Sequence, residues 1–195
     1  MSGIADYFRS LSKVVAGIAA TDGQGYELPL QSGVDKAIDL TRGSVNGGGK
    51  LMFIGNGGSA GIASHLAIDF TKNGRLPALA FNDGAALTCL GNDLGFDQVF
   101  AHQVSAHGRD GDLLVAISSS GRSPDILKGV EAGRSRRASV VTLSGFQPDN
   151  PLRRLGDINF YVPNGEYGFV EITHLALCHA ILDLATGWTA EGRNS

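Results

Sequence analysis

The stretch 51–70, LMFIGNGGSAGIASHLAIDF, constrains this chain more than any other, because it sets a buried strand, a glycine turn and a helix end to end. Residues 51–54 form a short apolar run between glycines, the pattern of a strand covered on both faces. Gly55-Asn56-Gly57-Gly58 then breaks the strand. Glycine loses the most backbone entropy in regular structure, but it permits positive φ and lets a ligand approach the backbone closely. Ser59 suits an N-cap, and a helix opening there places Ile62, Leu66 and Phe70 on one apolar stripe. His65 and Asp69 share the i, i+4 spacing at the edge of that stripe. A strand that runs through a tight turn into a helix leaves unpaired N–H groups and the positive end of the helix dipole beside the turn, which suits an anion such as phosphate. Neither the dinucleotide pattern GxGxxG nor the P-loop pattern is present, so NAD and ATP are poorly supported. Read for geometry alone, the same residues are a tight turn followed by a surface His–Asp pair.

The rest of the chain alternates short apolar runs with helical periods. Residues 77–81, 112–117, 138–143 and 158–162 read as strands, and 97–107, 123–136 and 170–186 as helices. The predicted fold is α/β, a three-layer, doubly wound sheet of about five parallel strands with helices on both faces, where ligands bind beyond the strand carboxyl ends. Residues 4–20 and 30–44 carry apolar positions near the 3.6 period and read as two further helices joined by a polar loop at 21–27. The βαβ rule does not place these two helices, which leaves them to pack on each other or on another subunit. The chain reads as a single domain over 1–195, with N-terminal helices in 1–45, an α/β core in 46–187 and a tail in 188–195.

A formal net charge of −3 offers no electrostatic footprint for nucleic acid or an anionic membrane. No apolar run approaches about 20 residues, and the opening MSGIADYFRS lacks a basic region followed by an apolar one. The expectation is a cytoplasmic protein with no nucleic-acid and no membrane partner. Cys89 and Cys178 have no CxxC spacing and read as core thiols in a reducing compartment.

A second strand–loop–helix unit repeats the first. Ser118-Ser119-Ser120-Gly121-Arg122-Ser123 follows the 112–117 strand, with Ser123 placed for an N-cap and Pro124 for the first helical position. Serine hydroxyls and free N–H groups bind phosphate, and Arg122 would add a charge. The bland alternative is a serine-rich turn. On the last helix Glu171, His174 and His179 sit among apolar residues, and buried ionisable groups need partners. Glu171 and His179 are eight residues apart, about 12 Å along a helix, whereas Glu171 and His174 share one face. His102 and His107 are assigned no chemistry.

Three motifs together, GNGGSxxxxxH at 55–65, GNDxGF at 91–96 and SxSGxS at 118–123, are similar to a known family. Over roughly 51–184 the chain resembles the sugar isomerase (SIS) domain and, within it, the phosphoheptose isomerases. The resemblance implies a flavodoxin-like SIS fold. It also implies an aldose–ketose isomerase that interconverts sedoheptulose 7-phosphate and an aldoheptose 7-phosphate through an enediol, working as a homotetramer with sites between subunits. Carried over by position, Asn56, Gly57, Gly58 and Ser59 line the sugar with Asn92 and Asp93, while Ser118, Ser119, Ser120 and Ser123 hold the phosphate. The implied metal set, for zinc or another divalent transition metal, is His65, Asp69, Glu171 and His179. Two of these depart from the family, which has Glu where Asp69 stands and Gln where Glu171 stands; Phe169 and Gly168 also replace its Arg and Asp. Asp69 or Glu171 is then the base that moves the proton and His179 its acid/base partner. The alternative function is a non-catalytic SIS protein that binds a phosphosugar or a protein partner, of the DnaA initiator-associating type.

Overall fold

The computed structural model describes residues 3–191. In chain order its elements are α1 (Ile4–Ala16), β1 (Ala19–Asp22), β2 (Glu27–Leu28), α2 (Leu30–Asn46), β3 (Leu51–Gly55), α3 (Gly57–Lys72), β4 (Ala78–Ala80), α4 (Gly84–Leu94), α5 (Val99–His107), β5 (Leu113–Ser118), α6 (Pro124–Ser135), β6 (Ser139–Ser144), β7 (Ile158–Tyr161) and α7 (Tyr167–Ala185). The strands form one sheet in the order β2-β1-β7-β6-β5-β3-β4. β4, β3, β5, β6 and β7 run parallel, which matches the five parallel strands expected from the sequence.

The first two strands correct the reading of 21–27 as a polar loop. β1 runs antiparallel to β7 from Ala19↔Tyr161 to Asp22↔Ile158, and β2 pairs on its far side. Ile18 and Ala20 are buried in this extension, so the first helix stops at Ala16 rather than near residue 20. The hairpin turn is held by Asp22 Oδ1, which accepts from the N–H groups of Gln24 and Tyr26, while Gly25 takes φ +86.

Successive side chains of the buried strands go to opposite faces, which produces two cores. Leu51, Phe53, Leu113, Val115, Ile117, Val141 and Leu143 meet α2, α3 and α7 on one face. Met52, Ile54, Leu114, Ala116 and Val140 meet α5 and α6 on the other. The expectation that no apolar run approaches membrane length needs amending for α7, whose 19 residues are long and apolar enough by length and composition. It lies instead on the sheet, with Val170, Leu177, Ile181 and Leu182 in the first core. Gly187 at φ +90 ends it, and the N–H of Trp188 turns back to the carbonyl of Asp183. Of the tail expected at 188–195, residues 192–195 lie outside those described.

In contrast to α7, α1 buries none of its residues; Ile4 is 70% and Phe8 59% exposed. Its anchor is Tyr7, whose ring stacks on Phe169 of α7 at 4.7 Å.

Candidate functional site

β3 ends at Gly55, and α3 starts three residues earlier than expected, at Gly57, with Asn56 rather than Ser59 as its N-cap. The cause is local. A side chain at Gly55 would run into the backbone of Ser59, and Gly57 takes φ +53, so this tight bend needs glycine at both positions. Ser59 is thereby drawn into the first helical turn and buried. Asn56 makes no side-chain cap bond to α3; its Nδ2 donates to Asp125 Oδ2 at 2.8 Å. Gly58 has another role: a Cβ there would overlap the carboxylate of Glu171.

The serine loop lies beside this turn, because β5 is the parallel neighbour of β3. Ser123 is the N-cap of α6 and Pro124 its first residue, as the sequence predicts. Gly121, at φ +62, directs its N–H to the carbonyl and the Oγ of Ser118, and Ser118 Oγ lies 3.3 Å from Ser123 Oγ. Buried Asn150 braces the loop from behind by donating to Ser144 Oγ and to the carbonyls of Gly145 and Gln147. A side chain at Gly121 would collide with Asn150, so glycine is required there as well. Arg122 faces away, paired with Asp149 at 2.8 Å, and does not add the charge expected of it.

Together these units wall a cavity of about 220 Å³ lined by Asn56, Gly57, Gly58, Ser59, the four predicted serines, Tyr167 and Glu171. The N-termini of α3, α6 and α7 all open onto it. First-turn N–H groups have no partner within a helix, so three positive dipole ends converge on one pocket without any formal cation. Ser119 Oγ is buried there with no hydrogen-bond partner among the described residues. Glu171 supplies the single carboxylate of the lining. Tyr167 was not legible from the sequence; it comes into the cavity because α7 begins three residues before the apolar pattern does, and its ring meets Phe146 edge-on at 4.9 Å. Asp125 had no signal either, apart from its place in the first turn of a helix.

The remaining expected residues lie elsewhere. Asn92 and Asp93 lie in the last turn of α4, exposed, and they do not line the cavity. His65, Asp69 and His179 do come together, where α3 packs along α7. His65 Nε2 lies 3.3 Å from His179 Nε2 and 3.3 Å from Asp69 Oδ2, and Asp69 Oδ2 is 3.6 Å from His179 Nδ1. Two imidazoles and a carboxylate, each offering one ligand atom within 4.8 Å of the others, are a donor set that suits a divalent cation such as zinc. His179 approaches His65 and Asp69 through different ring nitrogens, and only one of these would serve as ligand. Glu171 is not part of this group. It lies within the regular helix α7, two turns from His179, or about 12 Å along the axis. Its carboxylate meets Gly58, which is likewise about 10 Å from His65 along α3. Between the two, His174 is fully buried with Nε2 at 3.1 Å from the carbonyl oxygen of Ser144, and burial lowers its pKa to about 4.

Both the glycine turn and the serine loop fall within residues 7–145, which match the SIS domain. The chain is 39% identical to a phosphoheptose isomerase of Rhodospirillum rubrum over 157 residues, 77% of this chain and 83% of that protein. The chain belongs to the SIS domain family, among the phosphoheptose isomerases. A phosphoheptose isomerase of Escherichia coli is 35% identical over 157 residues, 77% of this chain and 81% of that one. In three dimensions the chain superposes on the phosphoheptose isomerase GmhA from Neisseria gonorrhoeae with a TM-score of 0.82 at 32% identity, covering 93% of this chain and 96% of that one. A phosphoheptose isomerase from Francisella tularensis gives 0.80 at 30% identity, with 93% and 95% covered. The likeness to these phosphoheptose isomerases therefore extends well beyond the three motifs, over most of the chain.

Proposed function

We propose that this chain is an aldose–ketose isomerase that interconverts sedoheptulose 7-phosphate and an aldoheptose 7-phosphate, the whole of 1–195 acting as one SIS domain. The observation that carries the reading is a single carboxylate, Glu171, set opposite an uncharged phosphate pocket built from three helix N-termini. The serine loop and the first turns of α3 and α6 hold the phosphate, and the glycine turn leaves room for the sugar chain. Glu171 takes a proton from C1 of the ketose and returns it to C2 through the enediol, while a proton passes between the two oxygens as the carbonyl moves from C2 to C1. Of the two carboxylates that the sequence leaves open as base, Glu171 is favoured by its place in the cavity, whereas Asp69 sits between two imidazoles.

His65, Asp69 and His179 would hold zinc or a similar divalent cation, which when bound supplies polarisation of the carbonyl and hydroxyl oxygens. His179 is the acid/base partner for the oxygen proton. Because Glu171 and His179 are two turns apart on one helix, we place the working site between chains, with Glu171 of one subunit facing the cation-binding group of the next in a homotetramer. The exposed apolar side chains of α1 and the distance of Asn92 and Asp93 from the cavity support that assembly. A reducing, cytoplasmic setting suits the two free cysteines, one exposed and one buried.

The test is to incubate purified chain with sedoheptulose 7-phosphate and follow the aldose by NMR, with metal content measured on the same sample. Isomerisation, together with near-stoichiometric metal that is lost in the His65→Ala, His179→Ala double variant, is the expected result. Absence of turnover after loading with zinc would move the chain to the phosphosugar-binding class.

A further inference from the structure

An asparagine at a helix N-cap ordinarily turns its side-chain oxygen onto the N–H groups of the first turn. Asn56 does not, and the reason lies on the neighbouring helix. Asp125, in the first turn of α6 and 2% exposed, accepts from Asn56 Nδ2 at 2.8 Å. The amide therefore meets the carboxyl group through its nitrogen, the donor of the pair. Asn56 Oδ1 is thereby turned away from Asp125, and no described residue donates to it, although Asn56 lines the cavity. The N–H groups at the start of α3 are left uncapped by the side chain as well.

We infer that Asp125 is a positioning residue that holds the Asn56 amide in one orientation, keeping α3 uncapped for the ligand and presenting Oδ1 as an acceptor to a hydroxyl of the substrate. This rests on the sugar-phosphate reading of the cavity and adds to it a hydroxyl-recognising atom whose orientation is imposed from a second helix. An acceptor next to uncapped N–H donors sorts the ligand by its two ends. The anionic end goes to the N–H groups and the serine loop, and a hydroxyl donor goes to Oδ1. Burial raises the pKa of Asp125, and the hydrogen bond from Asn56 opposes that shift by favouring the carboxylate.

Asp125→Asn keeps the shape but frees the amide of Asn56 to turn over, and Asp125→Ala lets it swing back onto α3. Asp125→Asn is expected to raise KM for sedoheptulose 7-phosphate about tenfold, the worth of one hydrogen bond, with kcat little changed. In an Asn56→Ala background the same substitution is expected to change nothing further. A crystal structure of Asp125→Ala is expected to show Asn56 Oδ1 accepting from an N–H of the first turn of α3. An unchanged KM in Asp125→Asn, or an equal loss with and without Asn56, would overturn the inference. So would an Asn56 side chain that stays in place in Asp125→Ala, and this last readout holds whether or not the chain turns over the sugar phosphate. Wild type that is inactive, with an Asn56 that caps α3 in Asp125→Ala, supports the positioning role and overturns the isomerase reading alone.

Discussion

At the scale of single residues the site is decided by which side chains the glycines leave room for. Gly58 has a conformational need no greater than that of Gly57 beside it, yet it faces Glu171 so closely that a methyl group would displace the carboxylate. Glu171→Gln keeps the shape, removes the carboxylate and restores the amide that the family resemblance implies at this position. With Glu171 as this chain's base, kcat is expected to fall at least about 100-fold with KM little changed in the isomerisation assay, whereas retained activity would return the base to Asp69. Gly58→Ala retains the carboxylate but moves it. A displacement of about 1 Å is enough for a loss on the order of 100-fold, which steady-state kinetics of a variant that still melts cooperatively would show. If Gly58→Ala were as active as wild type, Glu171 would not need its observed position and the assignment of the base would return to Asp69. The two thiols differ in a similarly local way. Burial pushes Cys178 up to about 12 and leaves it inert, whereas Cys89 is exposed on α4. A maleimide is expected to label one thiol per chain in the native state and two in denaturant, as counted by mass spectrometry.

At the scale of elements, α7 joins the sheet to both groups of candidate site residues, and its buried histidine makes stability depend on pH. His174 is held neutral by burial, with a pKa lowered from about 6.5 to about 4. A depressed native pKa contributes stability that is fully present above the unfolded value and is lost as pH falls towards the folded one. Unfolding free energy should therefore decline from about pH 6.5 down to about pH 4, by up to roughly 3 kcal/mol from this residue. Denaturant unfolding of wild type and His174→Gln at pH 7 and pH 4 checks this, because the variant shares every other titration and is expected to show the smaller decline. His174 also illustrates what was legible beforehand. The helical period of α7 and the need of a buried histidine for a partner could be read from the sequence, but the carbonyl of Ser144 that pairs with its Nε2 lies 30 residues away on β6, and Nδ1 has no partner among the described residues. The parallel strands were legible for a similar reason, since continuous apolar runs such as 51–54 and 112–117 have few alternatives. The hairpin at 19–28 was not, because strands of four and two residues carry too short a pattern and stand only by pairing with β7. Both cavity-lining loops were legible because glycine and serine at a strand–helix junction have a local cause. Tyr167 and Asp125 were not, because each reaches the cavity through packing between elements distant in sequence.

At the scale of the whole molecule, one chain carries both halves of the proposed chemistry but does not bring them together. The carboxylate and phosphate pocket lie at the start of α7, and His65, Asp69 and His179 lie two turns further along the same α3–α7 contact. A regular helix cannot shorten the roughly 12 Å between Glu171 and His179, so one bound cation meets both only if they come from different chains. α1 has the surface for such an assembly, with Ile4 and Phe8 exposed on an amphipathic helix that buries no residue of its own. Phe8→Glu is accordingly expected to lower the oligomeric state in light scattering and to abolish turnover without unfolding the sheet. Sharing of the site is tested more directly by mixing. Glu171→Gln oligomers lack the base, and His65→Ala, His179→Ala oligomers lack the cation-binding group, so each is expected to be inactive alone. Dissociated and reassembled together, or co-expressed, they form some contacts in which an intact Glu171 from one variant faces an intact His65, Asp69 and His179 from the other. Recovery of isomerase activity in the mixture, absent from either parent, is the expected outcome. A mixture as inactive as its parents, with hybrid oligomers confirmed by native mass spectrometry, would mean that each chain works alone. The chemistry would then have to run through Asp69 and the two histidines of a single subunit rather than through Glu171.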